Sequence, residues 1–251
     1  MARWIAEGHS VASICCTTGG LGTLRREVSA ARLMTQRAAE LRAADAALGI
    51  GPTEMLGFPD GEGMDFPALR RVLVECVRRH APDRVLTLDP WAPYEVHPDH
   101  RLVARAAAEA ATFACFPLLY PDQIQRGLSP HQPSEIWFMG LLGDRPNTFV
   151  NIAPWLSAKT EALLLFEATL PTLEGLMRGT HKAAASASPD HVRSRARQWI
   201  ADMASRTGRP VGLDAAEAFL VQRCAPGHFD NFWDRYGPLL GEPAPTPRIL
   251  R

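Results

Sequence analysis

The sequence lacks an excess of charge of either sign and contains no long hydrophobic run. Its 251 residues include 27 Lys+Arg and 27 Asp+Glu, so the formal net charge is zero. This balance argues against a nucleic-acid clamp or a basic membrane patch, because both need a field of one sign. No apolar segment approaches the roughly 18 residues of a membrane span, and the first residues do not form a secretory signal. We therefore expect a soluble, cytoplasmic protein that binds neither nucleic acid nor a membrane.

Cysteine is scarce, and its spacing excludes two further classes of site. Of the five cysteines, Cys15 and Cys16 are adjacent, and the other three, at 76, 115 and 224, are isolated. The number is odd and no C-x-x-C occurs, so neither a disulfide framework nor a thiolate zinc site is indicated. The pattern predicts reduced thiols in apolar surroundings.

A glycine fingerprint for nucleotides is also missing. The cluster Gly19-Gly20-Leu21-Gly22 matches neither G-x-G-x-x-G nor a Walker loop. We interpret this cluster as a turn that follows a strand. The missing fingerprint therefore disfavours a nucleotide-binding Rossmann domain.

What the first half does contain is an alternation of strand-length apolar runs with helical patterns. The predicted strands are 10–16, 53–56 and 84–88, and the predicted helices are 26–48, 65–80 and 99–113. Continuous rather than alternating apolarity indicates strands that are covered on both faces, as in a parallel sheet. The pattern predicts an α/β, Rossmann-like fold with a mostly parallel sheet and helices on both faces.

The second half is less regular. It predicts strands at 135–139 and 148–152, helices at 154–170 and 191–205, and a loop of small residues at 181–189. No repeat or domain boundary is evident. We predict a single domain over residues 1–240, followed by a proline-rich tail, 241–251, without regular structure.

The first residues have an unusual pattern. Met1, Trp4 and Ile5 lie at helical spacing and Gly8 follows as a stop signal, so the sequence opens within an amphipathic helix. No N-cap residue and no strand precede this helix, although a βα alternation normally supplies both. The first strand of the sheet is therefore expected to be missing from these residues.

The segment with the richest chemistry lies between the strand at 84–88 and the helix that follows. It ends in His97-Pro98-Asp99-His100, with Asp99 as the expected N-cap. Ligands of open α/β sheets bind outside the carboxyl ends of strands, where this loop lies. An imidazole in the first turn of a helix favours the neutral form that binds metals. The alternative is that Asp99 only caps the helix and the histidines are surface residues, since a catalytic zinc takes about three protein ligands.

Several motifs in the same order resemble the PIG-L/LmbE-like N-deacetylases. The matching segments are 2–22, 37–49, 56–61, 97–100 and 216–219. The resemblance is densest over residues 1–115 and then thins to short matches. It implies a metal-dependent hydrolase that removes an N-acyl group, usually acetyl, from an amino-sugar conjugate of low molecular weight.

The resemblance implies specific roles for the histidine loop. In this family a divalent metal, usually zinc, lies at the strand ends, and His100 matches its last ligand. His97 matches the imidazole that faces the reacting carbonyl and the leaving amine, and Asp99 matches the residue that orients the site. In the family the metal lowers the pKa of a water molecule, and a carboxylate base takes its proton.

The resemblance also assigns substrate contacts. Arg37 and Asp60 match positions that hold sugar hydroxyls, although a helix-surface arginine and a turn aspartate would look the same. Tyr94 lies three residues before His97, near but not at the position where many relatives carry a tyrosine close to the oxyanion. The exact substrate and a homo-oligomeric state are left open by these residues.

One departure from the family pattern concerns the metal site itself. The H-P-D-D-E signature, which supplies two ligands and the general base in the family, does not occur in the sequence. Either the natural protein is longer at its start, or this chain is a variant that lost these groups. The first interpretation is favoured because a sheet without a central strand leaves backbone groups unpaired. The second would make the protein a catalytically inactive binder of a sugar or other conjugate.

Overall fold

The computed structural model describes residues 1–23, 25–93, 95–139, 146–178, 188–230 and 246–251. The described helices are α1 (Ala2–Ala6), α2 (Ala30–Leu48), α3 (Phe66–His80), α4 (Pro98–Phe113), α5 (Pro121–Gln125), α6 (Leu156–Leu164), α7 (Leu170–Arg178) and α8 (Pro189–Gly208). The described strands are β1 (Ile14–Thr17), β2 (Glu54–Phe58), β3 (Arg84–Leu88), β4 (Glu135–Met139), β5 (Thr148–Asn151), β6 (Ala216–Ala225), β7 (His228–Phe229) and β8 (Arg248–Leu250). None of these helices has the length and apolarity needed to cross a membrane.

The chain divides into two compact units, each built from separate stretches of sequence. The first unit contains Met1–Asp60 and Asn151–Glu217, and the second contains Gly61–Val150 and Ala218–Arg251. The single domain over residues 1–240 stays a prediction. The two units are described separately below.

In the first unit, β1 and β2 pair in parallel and α2 connects them. This helix begins after Ser29, whose side chain accepts a hydrogen bond from a backbone N–H of the first turn. It ends at Gly49, which adopts a left-handed conformation with φ of 72°. Near its end, the buried carboxylate of Asp45 accepts hydrogen bonds from the backbone N–H and the hydroxyl of Thr53. This contact ties the last turn of α2 to the segment that leads into β2.

The second unit contains a mixed sheet with the strand order β3-β4-β6-β5-β8, and β7 pairs with β6. β3 and β4 are parallel, whereas β4 and β6 are antiparallel, with Glu135 opposite Arg223. The prediction of an α/β fold is therefore confirmed, but the prediction of a mostly parallel sheet needs correction. Continuous apolarity indicates burial on both faces and carries no information on strand direction.

An alanine-rich face of α4 packs on this sheet. Ala108 and Ala111 share a buried cluster with Ile136, Phe138 and Leu220. Small side chains let the helix approach the strands closely, which holds α4 in a defined position. Since α4 follows β3 through the loop 89–97, this packing also fixes where that loop ends.

A buried arginine organises the segment after α4. Arg78, on α3, is 4% exposed, and in the part of the chain that the structure describes its hydrogen-bond partners include no carboxylate. Its guanidinium donates instead to the backbone carbonyls of Ala114, Phe116, Leu119 and Tyr120 and to Oε1 of Gln123. Burial lowers the pKa of Arg78 from its usual value. The carbonyls of an irregular segment lack backbone N–H partners, and the guanidinium supplies their hydrogen bonds instead.

Two other expectations differ from the structure. The helix predicted over 154–170 is interrupted, because Phe166 leaves the helical conformation and Glu40 accepts the backbone N–H of Ala168 in place of a helical carbonyl. The tail predicted to lack regular structure contains β8, since Arg248–Leu250 pair with Thr148–Val150. Backbone pairing of this kind leaves little trace in composition.

Candidate active site

The loop that joins β3 to α4 carries the predicted catalytic residues. It begins at the buried Asp89, whose Oδ1 accepts a hydrogen bond from the Trp91 backbone N–H at 2.9 Å. It ends at His97, which is the N-cap of α4, and Pro98 is the first helical residue. The prediction that Asp99 is the N-cap was wrong by two residues. Proline fits the first helical position because its fixed φ suits the helix and its missing N–H is not needed there.

Asp99 is free for another role because it does not cap the helix. Its carboxylate is 3% exposed, and Oδ2 accepts a hydrogen bond from the Gly61 backbone N–H at 2.7 Å. The same oxygen lies 3.9 Å from Nδ1 of His97. Oδ1 of Asp99 and Nδ1 of His97 are both buried and have no hydrogen-bond partner within the described part of the chain.

Two buried polar atoms without partners are costly, at about 1–3 kcal/mol each. A proton donor or a cation placed between them would satisfy both. Imidazole nitrogen and carboxylate oxygen are also ligands that zinc accepts. The chemistry of His97 and Asp99 therefore fits a site that receives a cation or a polar substrate group.

His100 lies next to His97 on the same helical turn. The two rings stack with centroids 4.3 Å apart and an interplanar angle of 14°. Nδ1 of His100 is 3.0 Å from Oε2 of Glu95, and the side chain of His100 is 48% exposed. Of the two ring nitrogens, Nε2 is therefore the one that remains available to an ion.

Glu95 is a site residue that the sequence analysis missed. Its Oε1 accepts a hydrogen bond from the His97 backbone N–H at 2.8 Å, while its Oε2 contacts His100. Burial by itself would raise the pKa of Glu95, but the hydrogen bonds from His100 and His97 and the charges of their rings bring it below its usual value. The only sequence signal was an acidic residue two positions before His97, which is too common to single out.

The two predicted sugar contacts lie in the first unit, where both hold the glycine-rich turn. Nη1 of Arg37 donates to the Gly19 carbonyl at 3.2 Å, and Oδ2 of Asp60 accepts from the Leu21 backbone N–H at 3.0 Å. A Cβ on Gly22 would lie 2.4 Å from Nη1 of Arg37, so a larger residue here would displace the end of that side chain. The interpretation of the cluster as a turn after a strand agrees with this arrangement. Direct contact of Arg37 and Asp60 with a substrate stays a prediction.

The remaining predicted residue, Tyr94, lies outside the described residues. A cavity of about 650 Å³ opens in the second unit along α4, and its walls include Trp91, Arg105, Glu109 and Phe229. Neither His97, Asp99 nor His100 lines this cavity. We therefore base the chemistry on the histidine loop and not on the cavity.

Comparison with known proteins gives a consistent group of relatives. The family model described as PIG-L: GlcNAc-PI de-N-acetylase matches residues 1–111. Diacetylchitobiose deacetylase from Thermococcus kodakarensis is 33% identical over 165 residues, which are 66% of this chain and 61% of that protein. 1D-myo-inositol 2-acetamido-2-deoxy-alpha-D-glucopyranoside deacetylase from Geodermatophilus obscurus is 35% identical over 147 residues, 49% of this chain and 50% of that protein. The matches thus span between half and three fifths of these two relatives.

A solved structure extends the similarity to most of the fold. N,N'-diacetylchitobiose deacetylase from Pyrococcus horikoshii, complexed with its inhibitor MPG, superposes with a TM-score of 0.76. The sequence identity is 25%, and the match covers 93% of this chain and 80% of that chain. The α/β architecture is therefore shared well beyond the residues that the family model covers.

Proposed function

We propose that the protein hydrolyses the N-acetyl group of an amino-sugar conjugate, because residues 1–111 match the family model described as PIG-L: GlcNAc-PI de-N-acetylase. The names of its relatives support acetamido sugars as the substrate class. The observation that carries the proposal in this chain is the pair of buried, partnerless atoms on Asp99 and His97 at the start of α4. The two residues follow the carboxyl end of β3, the side of an open α/β sheet on which ligands bind.

Each of these loop residues would have a separate role in amide hydrolysis. His100 is the residue that would hold a divalent cation, such as zinc, as the family resemblance implies. When bound, such a cation supplies Lewis acidity, which lowers the pKa of water and polarises the amide carbonyl. His97 would donate a hydrogen bond to the oxygen that becomes negative and pass to the leaving amine the proton that the attacking water gives up. The Gly61 N–H holds the carboxylate of Asp99, the residue to which the family resemblance assigns the orientation of the site.

A second candidate function is binding of an amino-sugar conjugate without hydrolysis. The sequence contains no H-P-D-D-E, so the base that the family resemblance assigns to the attacking water has no counterpart in these residues. Arg37 and Asp60 would still present polar groups to a sugar. Under this alternative, the conjugate binds but no acetate is released.

Acetate release separates the two candidates. The protein, supplied with Zn²⁺, is incubated with diacetylchitobiose and with N-acetylglucosaminyl-inositol, and acetate is measured by an enzyme-coupled assay. We expect release that depends on the metal and falls at least 100-fold in His100→Ala, because a lost metal ligand removes the Lewis acid. His228→Ala, an exposed histidine of the same unit, serves as the matched control. Conjugate binding without acetate release, or full activity of His100→Ala, would overturn the hydrolase proposal.

A further inference from the structure

The carboxylate of Glu95 joins the two histidines of the loop. One oxygen accepts the His97 backbone N–H at 2.8 Å, and the other lies 3.0 Å from Nδ1 of His100. The Glu95 side chain is 15% exposed. With both oxygens engaged, the carboxylate has a fixed direction, unlike the long flexible side chains of most surface ion pairs.

This contact decides which nitrogen of His100 carries a proton. A carboxylate only accepts hydrogen bonds, so the nitrogen that faces it must be the donor. Nδ1 of His100 therefore carries the hydrogen, and Nε2 of the neutral ring keeps its lone pair. Stacking on His97, with centroids 4.3 Å apart, fixes the plane of the ring as well.

We propose that Glu95 is a positioning residue that holds His100 in the Nδ1–H tautomer, so that Nε2 faces a metal ion. The inference rests on the proposed function, because it takes His100 as a metal ligand. Carboxylates that hold the second nitrogen of a ligating histidine fix its orientation and raise its basicity. Glu95 does not itself touch the ion or the substrate.

The tautomer is measured first, in the metal-free protein. Long-range ¹H–¹⁵N correlation spectra of ¹⁵N-histidine-labelled protein distinguish Nδ1–H from Nε2–H, and His100→Ala assigns the resonances. We expect the Nδ1–H form in the wild type and a shift toward Nε2–H in Glu95→Ala. Glu95→Gln keeps an acceptor oxygen and should retain the Nδ1–H form. Circular dichroism checks that each variant is folded.

Zinc affinity is measured second, by competition with a chromophoric chelator. We expect Glu95→Ala to weaken Zn²⁺ binding about 10- to 100-fold and Glu95→Gln to weaken it less. Glu75→Ala removes another partly exposed carboxylate of the same unit, one that pairs with Arg126, and should leave zinc affinity unchanged.

The outcomes separate this inference from the proposed function. If the wild type binds no zinc, or His100→Ala binds it equally well, the metal proposal fails and the role of Glu95 fails with it. If His100→Ala loses zinc while Glu95→Ala keeps both the wild-type tautomer and the wild-type affinity, the role of Glu95 alone is overturned.

Discussion

Replacement of Arg78 by alanine tests the idea that one buried guanidinium holds the segment after α4. The variant removes the donors of five hydrogen bonds, four of them to backbone carbonyls and one to Gln123. A buried acceptor left without a donor costs about 1–3 kcal/mol, and water reaches some of the five once the side chain is gone. If two of the acceptors have neither a protein donor nor a water molecule, the expected loss in the free energy of unfolding is about 3–5 kcal/mol.

The assay is equilibrium unfolding in urea, followed by circular dichroism. With an m-value of about 2–3 kcal/mol/M, the midpoint of Arg78→Ala should fall by about 1–2 M. Arg78→Lys should lie between the two proteins, because an ammonium offers three donors without the planar fork of guanidinium. The matched control is Arg126→Ala, which removes an exposed ion pair with Glu75 and should cost less than about 1 kcal/mol. Equal midpoints for Arg78→Ala and Arg126→Ala would show that the Arg78 guanidinium does not hold this segment.

Two further predictions concern stability. A Cβ on Gly208 would lie 2.4 Å from the backbone oxygen of Leu213. Gly208→Ala should therefore lower the free energy of unfolding, measured by urea denaturation, by about 2–4 kcal/mol. Gly51→Ala, whose Cβ would meet no atom within 4 Å, should be nearly neutral. Burial opposes ionisation of Glu135, but hydrogen bonds and nearby arginines bring its pKa in the folded protein below the usual 4.5. The ionised carboxylate therefore stabilises the fold above pH 4.5, and this contribution is lost as the pH falls through the pKa of the folded protein. The stability difference between wild type and Glu135→Gln should therefore shrink between pH 6 and pH 3, and a constant difference would contradict this.

The sequence predicted several strands and helices well because their signals are local. β3 and β4 have the bounds that their apolar runs indicated, and α3 begins within one residue of its predicted start. The direction of β6 was not predictable, since it depends on where a distant strand lies. The break between α6 and α7 was missed because it involves Glu40, more than a hundred residues away in the sequence.

The candidate site also combines features that the local sequence indicates with features that depend on the folded structure. The motif at 97–100 predicted the site, and the structure brings His97, Asp99 and His100 close together, while their catalytic roles stay predictions. Glu95 could not be identified, because its role depends on the turn that brings its carboxylate back toward His100. The contacts of Arg37 and Asp60 with the glycine turn are likewise three-dimensional, since residues 18 to 39 positions apart form them.

Anomalous diffraction at the zinc absorption edge, from crystals grown with Zn²⁺, shows directly whether His100 binds a metal ion. We expect a peak about 2.0–2.1 Å from Nε2 of His100, the usual Zn–N distance, and no such peak in His100→Ala crystals. A zinc ion bound elsewhere, with the His100 ring empty at that nitrogen, would contradict the assignment of a metal-dependent deacetylase to this chain.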